Sequence, residues 1–202
     1  MNFNVIICGV GGQGVVLASR LLAITAMNSG FHVNTAETLG MSQREGSVVS
    51  HLQFGENIKS SLIPEGSTDL IIGLEVSEVA RNIHFLKKDG KIITNSNLIL
   101  PSARSSNEKY DSEKIINFIK EKVKSTICID FSKIAKVAGN PKSMNVSVLS
   151  AAFYTGFLPL EYEDFLKTIE SEIPEKYRDI NLNATKLSAE TISNMLEGHN
   201  EQ

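Results

Sequence analysis

The clearest indication of the fold comes from the first fourteen residues, Met1-Asn2-Phe3-Asn4-Val5-Ile6-Ile7-Cys8-Gly9-Val10-Gly11-Gly12-Gln13-Gly14. Their apolar run, Phe3–Cys8, predicts a β-strand, and the helical spacing in Val15–Asn28 predicts a helix. The Gly-x-Gly-x-x-Gly pattern between them suits a turn with unusual backbone angles and a ligand close to the main chain. Such a unit offers free N–H groups and the positive end of a helix to a phosphate, diphosphate or carboxylate. A tight turn without a ligand explains the pattern equally well, so both interpretations stay open here.

Strands and helices continue to alternate after this turn. Two strand-like runs, Ser47–Phe54 and Ile58–Leu62, flank Gly55-Glu56-Asn57 and predict a β-hairpin. The other elements predicted up to residue 130 are strands at Phe31–Ala36, Asp69–Leu74, Lys91–Asn95 and Thr126–Asp130, and helices at Ser77–Lys87 and Asp111–Lys124. Residues 95–110 are rich in Ser, Asn, Pro and Arg and are predicted to form a loop.

The second part of the chain has mainly helical patterns. Asn145–Phe157 is apolar with small residues, and Glu161–Ile173 and Leu182–Leu196 are amphipathic. We therefore predict an α/β fold, a three-layer Rossmann-like sandwich with a mixed sheet that contains one β-hairpin, followed by a helical C-terminal portion. All 202 residues are expected to form a single domain, with an α/β core at 1–130 and a mainly helical extension at 131–202.

Composition excludes several classes of protein. A net charge of −3 argues against a general nucleic-acid binder, and no apolar run is long enough to span a membrane. Cys8 and Cys128 lie in apolar, strand-like runs, which is typical of buried, reduced thiols in a cytoplasmic protein. Because no Cys-x-x-Cys pattern is present, we expect no iron–sulfur cluster, structural zinc or other metal in this chain.

A second polar segment, Gly40–Ser47, is predicted to form a surface loop near the strand ends. Gln43 and Arg44 each carry several hydrogen-bond donors, and arginine favours planar anions such as carboxylate and phosphate. An ion pair of Arg44 with Glu45 or Glu37 in a solvated loop is the simpler explanation for an arbitrary Gln-Arg pair. His51 alternates with apolar neighbours in a strand pattern and is interpreted as a packing or hydrogen-bonded histidine.

A dinucleotide site needs an acidic residue near the end of the second strand, about 20 positions after the glycine turn. Glu37 has a tolerable spacing, but the hairpin predicted over Ser47–Leu62 replaces the next helix and parallel strand of a Rossmann unit. The sequence also lacks a nucleophile elbow, a Walker-type ending, a His-Glu-x-x-His motif and the protein-kinase motifs. The chain is therefore expected to complete a site formed with another protein.

Several ordered motifs resemble the gamma-type domain of 2-oxoacid:ferredoxin oxidoreductases. They cover roughly residues 5–95 and consist of Gly9-Val10-Gly11-Gly12-Gln13-Gly14-Val15, Glu37-Thr38, Gly40-Met41-Ser42-Gln43-Arg44, Gly46-Ser47-Val48, Ser50-His51, Ile63-Pro64-Glu65-Gly66, Asp69-Leu70-Ile71-Ile72-Gly73-Leu74-Glu75 and Asn95. Glu45 departs from the pattern, because the family usually has glycine at this position. A separate chain of about this length is most similar to the small (beta) subunit of the family's arylpyruvate enzymes.

The resemblance implies a reaction in which a partner performs the redox chemistry. An arylpyruvate such as indolepyruvate is oxidatively decarboxylated, ferredoxin is reduced, and the acyl group leaves on coenzyme A. Thiamine diphosphate, Mg and the iron–sulfur clusters would belong to a large (alpha) partner subunit. The chain would bind no cofactor alone, would be inactive alone, and would contribute to coenzyme A binding in the complex.

By the same resemblance, the main chain of Gly11–Gly14 would receive a phosphate or a polar group of the substrate. Gln43 and Arg44 would orient the anionic substrate or coenzyme. The full set of residues expected to bind the cofactor is Gly9, Gly11, Gly12, Gln13, Gly14, Ser42, Gln43, Arg44 and Ser47.

Three alternatives remain open on the sequence. The chain could be a free-standing NAD(P)-binding protein, a purely structural subunit whose glycines only form a turn, or the gamma-type subunit of an enzyme for pyruvate, ketoisovalerate or oxoglutarate. An obligate subunit needs an apolar docking patch, and we expect it on the helical C-terminal portion.

Overall fold

The computed structural model of the protein describes residues 2–39, 46–56, 58, 60–99 and 111–199. Its strands are β1 (Asn2–Val10), β2 (His32–Leu39), β3 (Ser47–Gly55), β4 (Thr68–Gly73), β5 (Leu86–Asn95) and β6 (Thr126–Ile129). Its α-helices are α1 (Val15–Asn28), α2 (Val76–Asn82), α3 (Ser112–Lys122), α4 (Phe131–Ala138), α5 (Met144–Tyr154), α6 (Tyr162–Glu172) and α7 (Glu175–His199). Short 3₁₀ turns at Ile83–Phe85 and Pro141–Ser143 precede β5 and α5.

The six strands form one mixed sheet in the order β2-β3-β1-β4-β5-β6. Strands β1, β4, β5 and β6 run parallel, whereas β3 is antiparallel to both of its neighbours, β1 and β2. The parallel strands β1 and β4 have nearly continuous apolar runs because helices cover both of their faces. The predicted mixed sheet with one hairpin is confirmed.

The predicted partner in that hairpin is wrong. Strand β3 pairs with β2 on one side and with β1 on the other, so neither of its edges is free for Ile58–Leu62. Of the residues that the structure describes in that segment, none lies in a strand. The hairpin consists of β2 and β3, which are far enough apart in sequence that no short turn signals their pairing.

The helix predicted at Ser77–Lys87 is also too long. Helix α2 ends at Asn82, and Leu86–Gly90 belongs to strand β5, in which Leu86 lies opposite Thr68 of β4. That pairing joins residues 18 positions apart, so the local apolar pattern from which the helix was predicted could not reveal it.

Two layers of helices cover the sheet. Alternate residues of β1 point to opposite faces: Val5 and Ile7 pack into a large core with α1 and α4–α7, and Ile6 and Cys8 pack into a smaller core with α2 and α3. Helix α5 is buried along almost its whole length, at the centre of the large core. Helix α3 packs its apolar face into the smaller core. The three-layer α/β prediction is confirmed.

Candidate functional site

The carboxyl ends of β1 and β4 define the place where a ligand site is expected. These two parallel strands are neighbours, but the chain leaves β1 into α1 on one face of the sheet and leaves β4 into α2 on the other. In open α/β sheets a crevice forms at such a point, and ligands bind there. The glycine loop, Gly9–Gly14, forms one wall of this crevice.

The loop needs glycine at two positions for conformational reasons. Gly12 and Gly14 have φ angles of 92° and 84°, in the left-handed region that side chains disfavour. Gly14 is also the N-cap of α1. A Cβ atom added at Gly12 would have no heavy atom of the described residues within 4 Å, so no described residue covers the tip of the loop.

Only some of the backbone N–H groups of the loop are available to a ligand. The N–H of Gly11 donates to the carbonyl of Gly46 (2.8 Å), and the N–H of Gln13 donates to that of Val10 (3.1 Å). Within the ranges that the structure describes, the N–H groups of Gly12 and Gly14 donate to nothing. Helix α1 adds its first-turn N–H groups, which have no partner within a helix.

The side chain of Gln13 connects the two strand ends. Its Oε1 accepts from the N–H of Val10 (2.7 Å), and its Nε2 donates to the carbonyl of Leu74 after β4 (3.1 Å). A Cβ at Gly9 would lie 2.8 Å from the same Oε1, so Gly9 allows this close packing. The Gln13 side chain therefore has a structural role, and the backbone of the loop is the part available for ligand binding.

The segment after β4 forms the second wall and carries two carboxylates. Glu75 is fully buried: its Oε2 accepts from the N–H of Glu78 (2.9 Å) and from the Ser77 hydroxyl (2.6 Å), and its Oε1 accepts from the N–H of Ile99 (3.1 Å). Glu78 is nearly buried and accepts from the Ser47 hydroxyl at 2.5 Å. The hydroxyl of Ser47, predicted to bind the cofactor, therefore faces a carboxylate.

These carboxylates also act on a neighbouring thiol. Burial raises the pKa of Cys8 well above its ordinary value, and the negative charges of Glu78 and Glu75 raise it further. Cys128 is partly buried, and burial raises its pKa to about 11. Both cysteines are free. Neither thiol has the lowered pKa that a nucleophilic or redox cysteine needs.

A polar cavity of about 510 Å³ opens beside the loop, at the ends of β5 and β6. At its base lies Asn95, whose side chain is 1% exposed and donates to the Leu74 carbonyl (3.3 Å) and the Ser132 hydroxyl (3.1 Å). Lys136 of α4 lines the cavity, is exposed, and forms no ion pair with any described residue. Its other polar lining residues are Gln13, Ser96, Asn97, Ser112 and Ser132.

No role was predicted from the sequence for Glu75, Lys136 or Asn145. Asn145, the second residue of α5, donates from Nδ2 to the carbonyl of Gly14 at 3.2 Å, across 131 positions of sequence. A signal existed only for Glu75, an acidic residue that directly follows the apolar run of residues 70–74. Lys136 and Asn145 reach the site through the packing of α4 and α5, which no local pattern indicates.

The remaining candidates from the sequence have mixed outcomes. Ser42, Gln43, Arg44 and the unusual Glu45 lie outside the described residues. Glu37 is exposed on the edge strand β2, and β3 lies between it and β1, a separation of two strand spacings or about 10 Å. This topology removes the acidic partner that a dinucleotide site at the glycine loop requires, so the NAD(P) alternative loses its main support.

His51 has the packing role that we predicted. It is 5% exposed, its Nδ1 accepts from the N–H of Ile63 (3.3 Å), and its ring meets that of Phe85 edge-on. Burial lowers its pKa below the ordinary value. Among the described residues, no cluster of three or more His, Cys, Asp or Glu could hold a metal ion, and no helix has the length and apolar character to cross a membrane.

A three-layer fold with a glycine loop at the switch point is the architecture of a known oxidoreductase family. Residues 4–191 match the family described as pyruvate ferredoxin/flavodoxin oxidoreductase, and the chain belongs to it. Among its relatives is the indolepyruvate oxidoreductase subunit IorB of Pyrococcus horikoshii, which is 36% identical over 198 residues and is covered over 98% of its length, with 96% of this chain.

Two solved structures share the fold. The gamma subunit of a keto/oxoacid ferredoxin oxidoreductase from Geobacter sulfurreducens matches with a TM-score of 0.68 and 21% identity, covering 94% of this chain and 95% of that one. A 2-oxoglutarate:ferredoxin oxidoreductase from Magnetococcus marinus, with 2-oxoglutarate, coenzyme A and succinyl-CoA bound, matches with a TM-score of 0.66 and 14% identity. The match covers 94% of this chain and 31% of that longer one.

Proposed function

We propose that this chain is the non-thiamine subunit of a 2-oxoacid:ferredoxin oxidoreductase that acts on arylpyruvates, with indolepyruvate as the typical substrate. Membership of the family and the name of the 36% identical relative support this assignment. The large partner subunit would hold thiamine diphosphate, Mg and the iron–sulfur clusters, and the complex would reduce ferredoxin. We expect the complex in the cytoplasm.

The contribution of the chain itself is proposed to be the binding of coenzyme A. The supporting observation is the open tip of the glycine loop, with the free N–H groups of Gly12 and Gly14 at the start of α1, beside the polar cavity. Coenzyme A carries several phosphates, and a helix N-terminus stabilises an anion by about 0.3–1 kcal/mol, or up to about 2 kcal/mol where partly buried.

Lys136 would supply the positive charge that the loop lacks. Its ammonium group belongs to an exposed side chain at the mouth of the cavity and is not neutralised by a described residue. Lysine binds phosphate as a point charge. The carboxylates of Glu75 and Glu78 on the opposite wall are engaged by hydroxyl and N–H groups, and they would repel a phosphate from that side. The phosphates are therefore expected on the α1 and α4 side of the crevice.

The thiamine group of the partner, when bound, supplies the decarboxylation. This chain would hold the coenzyme so that its thiol reaches that group, and would help to exclude water from it. Exposed apolar residues lie at the start of α1, where Val16 and Leu17 are in the first turn, and in the lining of the cavity, where Ile99 is exposed. A partner that covers the crevice would bury all three. Docking through the helical C-terminal portion, where Val137 is 66% exposed, stays a prediction.

The first experiment is co-purification of the tagged chain from its native extract, followed by an assay of ferredoxin reduction. We expect a large, brown partner and activity that requires both indolepyruvate and coenzyme A, with lower rates for pyruvate, ketoisovalerate and oxoglutarate. A chain that elutes alone and colourless, even at low salt, would overturn the subunit assignment. Activity with pyruvate that exceeds activity with every arylpyruvate would overturn the substrate.

The role of Lys136 is tested in the same complex. Lys136→Ala should raise KM for coenzyme A roughly fivefold, a value typical of one partly exposed phosphate contact, and should leave KM for the 2-oxoacid unchanged. Lys133→Ala is the matched control, because Lys133 is exposed on the same helix but lines a different groove. Equal effects of the two variants would exclude a specific contact with Lys136.

A further inference from the structure

Gly14, which we call the foot of the glycine loop, contacts a side chain from the second half of the chain. Asn145 is 3% exposed, and its Nδ2 donates to the carbonyl of Gly14. The contact between them is close, because a Cβ added at Gly14 would overlap the amide of Asn145. The loop therefore has an open tip at Gly12 and a fixed foot at Gly14.

The orientation of the Asn145 amide is determined by a second hydrogen bond. Its Oδ1 accepts from the N–H of Val146 at 2.9 Å, which leaves Nδ2 directed at Gly14. The Gly14 carbonyl also accepts from the N–H of Ala18 at 3.0 Å, so both of its lone pairs are used. The support is rigid as well, because helix α5 is buried and the hydroxyl of Ser188 on α7 donates to the Ser147 carbonyl (2.7 Å).

We infer that Asn145 is a positioning residue that aims the first free N–H group of α1 at the phosphate of coenzyme A. The link is the planar peptide bond between Gly14 and Val15, in which the carbonyl and the N–H point in opposite directions. A donor that holds the Gly14 carbonyl therefore fixes the direction of the Val15 N–H, which belongs to the first turn and has no partner within the helix. This inference rests on the proposed coenzyme A site.

The inference gives the C-terminal helices a role in ligand binding. Met144, next to Asn145, lines the same cavity as Lys136. One wall of the cavity and the side chain that supports the foot of the loop thus come from α4 and α5, although the glycine pattern lies at the other end of the sequence. Gln13 holds the opposite side of the loop through Val10 and Leu74.

The test compares two substitutions that remove the amide donor in different ways. Asn145→Asp and Asn145→Leu both keep approximately the size of the side chain, but only the first introduces a charge. In the assembled complex, both should raise KM for coenzyme A about tenfold, the effect of about one hydrogen bond. The rate at saturating coenzyme A and KM for the 2-oxoacid should stay unchanged, which a general loss of structure would not produce.

Asn82→Asp provides the matched control. Asn82 is also buried, and its Nδ2 donates to the Glu78 carbonyl at 2.8 Å, but it lies on α2, on the other face of the sheet. It should lower thermal stability without any change in KM for coenzyme A. An increase caused by Asn145→Asp but not by Asn145→Leu would attribute the effect to charge and overturn the inference.

Gly12→Ala separates this inference from the proposed function. If Gly12→Ala raises KM for coenzyme A and the Asn145 variants do not, the site stands and the inference fails. If none of these variants changes KM, the proposed coenzyme A site itself fails. Should Asn145→Asp and Asn145→Leu prevent assembly, Asn145→Ser is measured in the same way. Failure of all three to assemble would make Asn145 a purely structural residue and overturn the inference.

Discussion

Two strand ends lie side by side at the carboxyl edge of the sheet and differ in how their polar groups are satisfied. After β1, the glycine loop ends in a helix whose first N–H groups have no partner in the described chain. After β4, the carboxylate of Glu75 accepts the N–H of Glu78 at the start of α2 and also the N–H of Ile99. The first end is open to a ligand, and the second is closed by the protein itself.

At this edge of the sheet, the end of β1 is therefore available to bind a ligand, whereas the end of β4 has a structural role. A buried carboxylate that accepts several hydrogen bonds holds its segment in place, because its removal leaves buried donors without partners. An open glycine turn has the opposite property, since its donors are satisfied by water until an anion replaces the water. The two ends are therefore expected to respond differently to substitution.

The largest expected effect is at the closed end. Glu75→Ala leaves the buried N–H groups of Glu78 and Ile99 without an acceptor, so we expect the free energy of unfolding to fall by about 3–5 kcal/mol. Denaturant unfolding of the purified chain measures this loss. Ser47→Ala, which removes one donor to Glu78 from an exposed residue, should cost less than about 1 kcal/mol. A Glu75→Ala loss as small as that of Ser47→Ala would contradict the closed-end interpretation.

A smaller effect distinguishes the foot of the open end from its tip. Gly14→Ala forces a left-handed backbone on alanine, at about 1–2 kcal/mol, and also displaces Asn145. Gly12→Ala has the same backbone cost, but its Cβ meets no heavy atom of the described residues within 4 Å. Unfolding curves of the two variants should therefore place Gly14→Ala at least about 1 kcal/mol below Gly12→Ala. Equal stabilities would show that the foot is not held by packing.

The smallest effect concerns His51, which lies away from both strand ends. Burial lowers its pKa in the folded chain, so the unfolded chain takes up the proton first as the pH falls below about 6.5. The contribution of neutral His51 to the free energy of unfolding is therefore fully present above that pH and is lost as the pH falls below it. His51→Gln should flatten the decrease in unfolding free energy between about pH 7 and about pH 5. The exposed His84→Gln is the control, and an equal flattening by it would contradict the assignment.

The parts of the site that could be predicted are the local ones. The glycine loop follows from six neighbouring residues, because the strand before it and the helix after it have their own periodicities. The packing role of His51 was predicted for the same reason, from its alternation with apolar residues. The positions of Asn145 and Lys136 beside the glycine loop and the cavity could not be predicted, because they depend on where α4 and α5 pack against the sheet.

Local sequence patterns are enough to predict the first strand, the glycine turn and helix α1, the apolar parallel strands and the amphipathic helices, because these depend on neighbouring residues. Ordered motifs are enough to predict the family. The tertiary structure alone reveals that β3 inserts between β1 and β2, which moves Glu37 to the edge of the sheet. It also decided that Glu75 is satisfied by Ile99, and that Asn145 supports Gly14. These contacts join residues 24 and 131 positions apart, and they form only when the whole core packs.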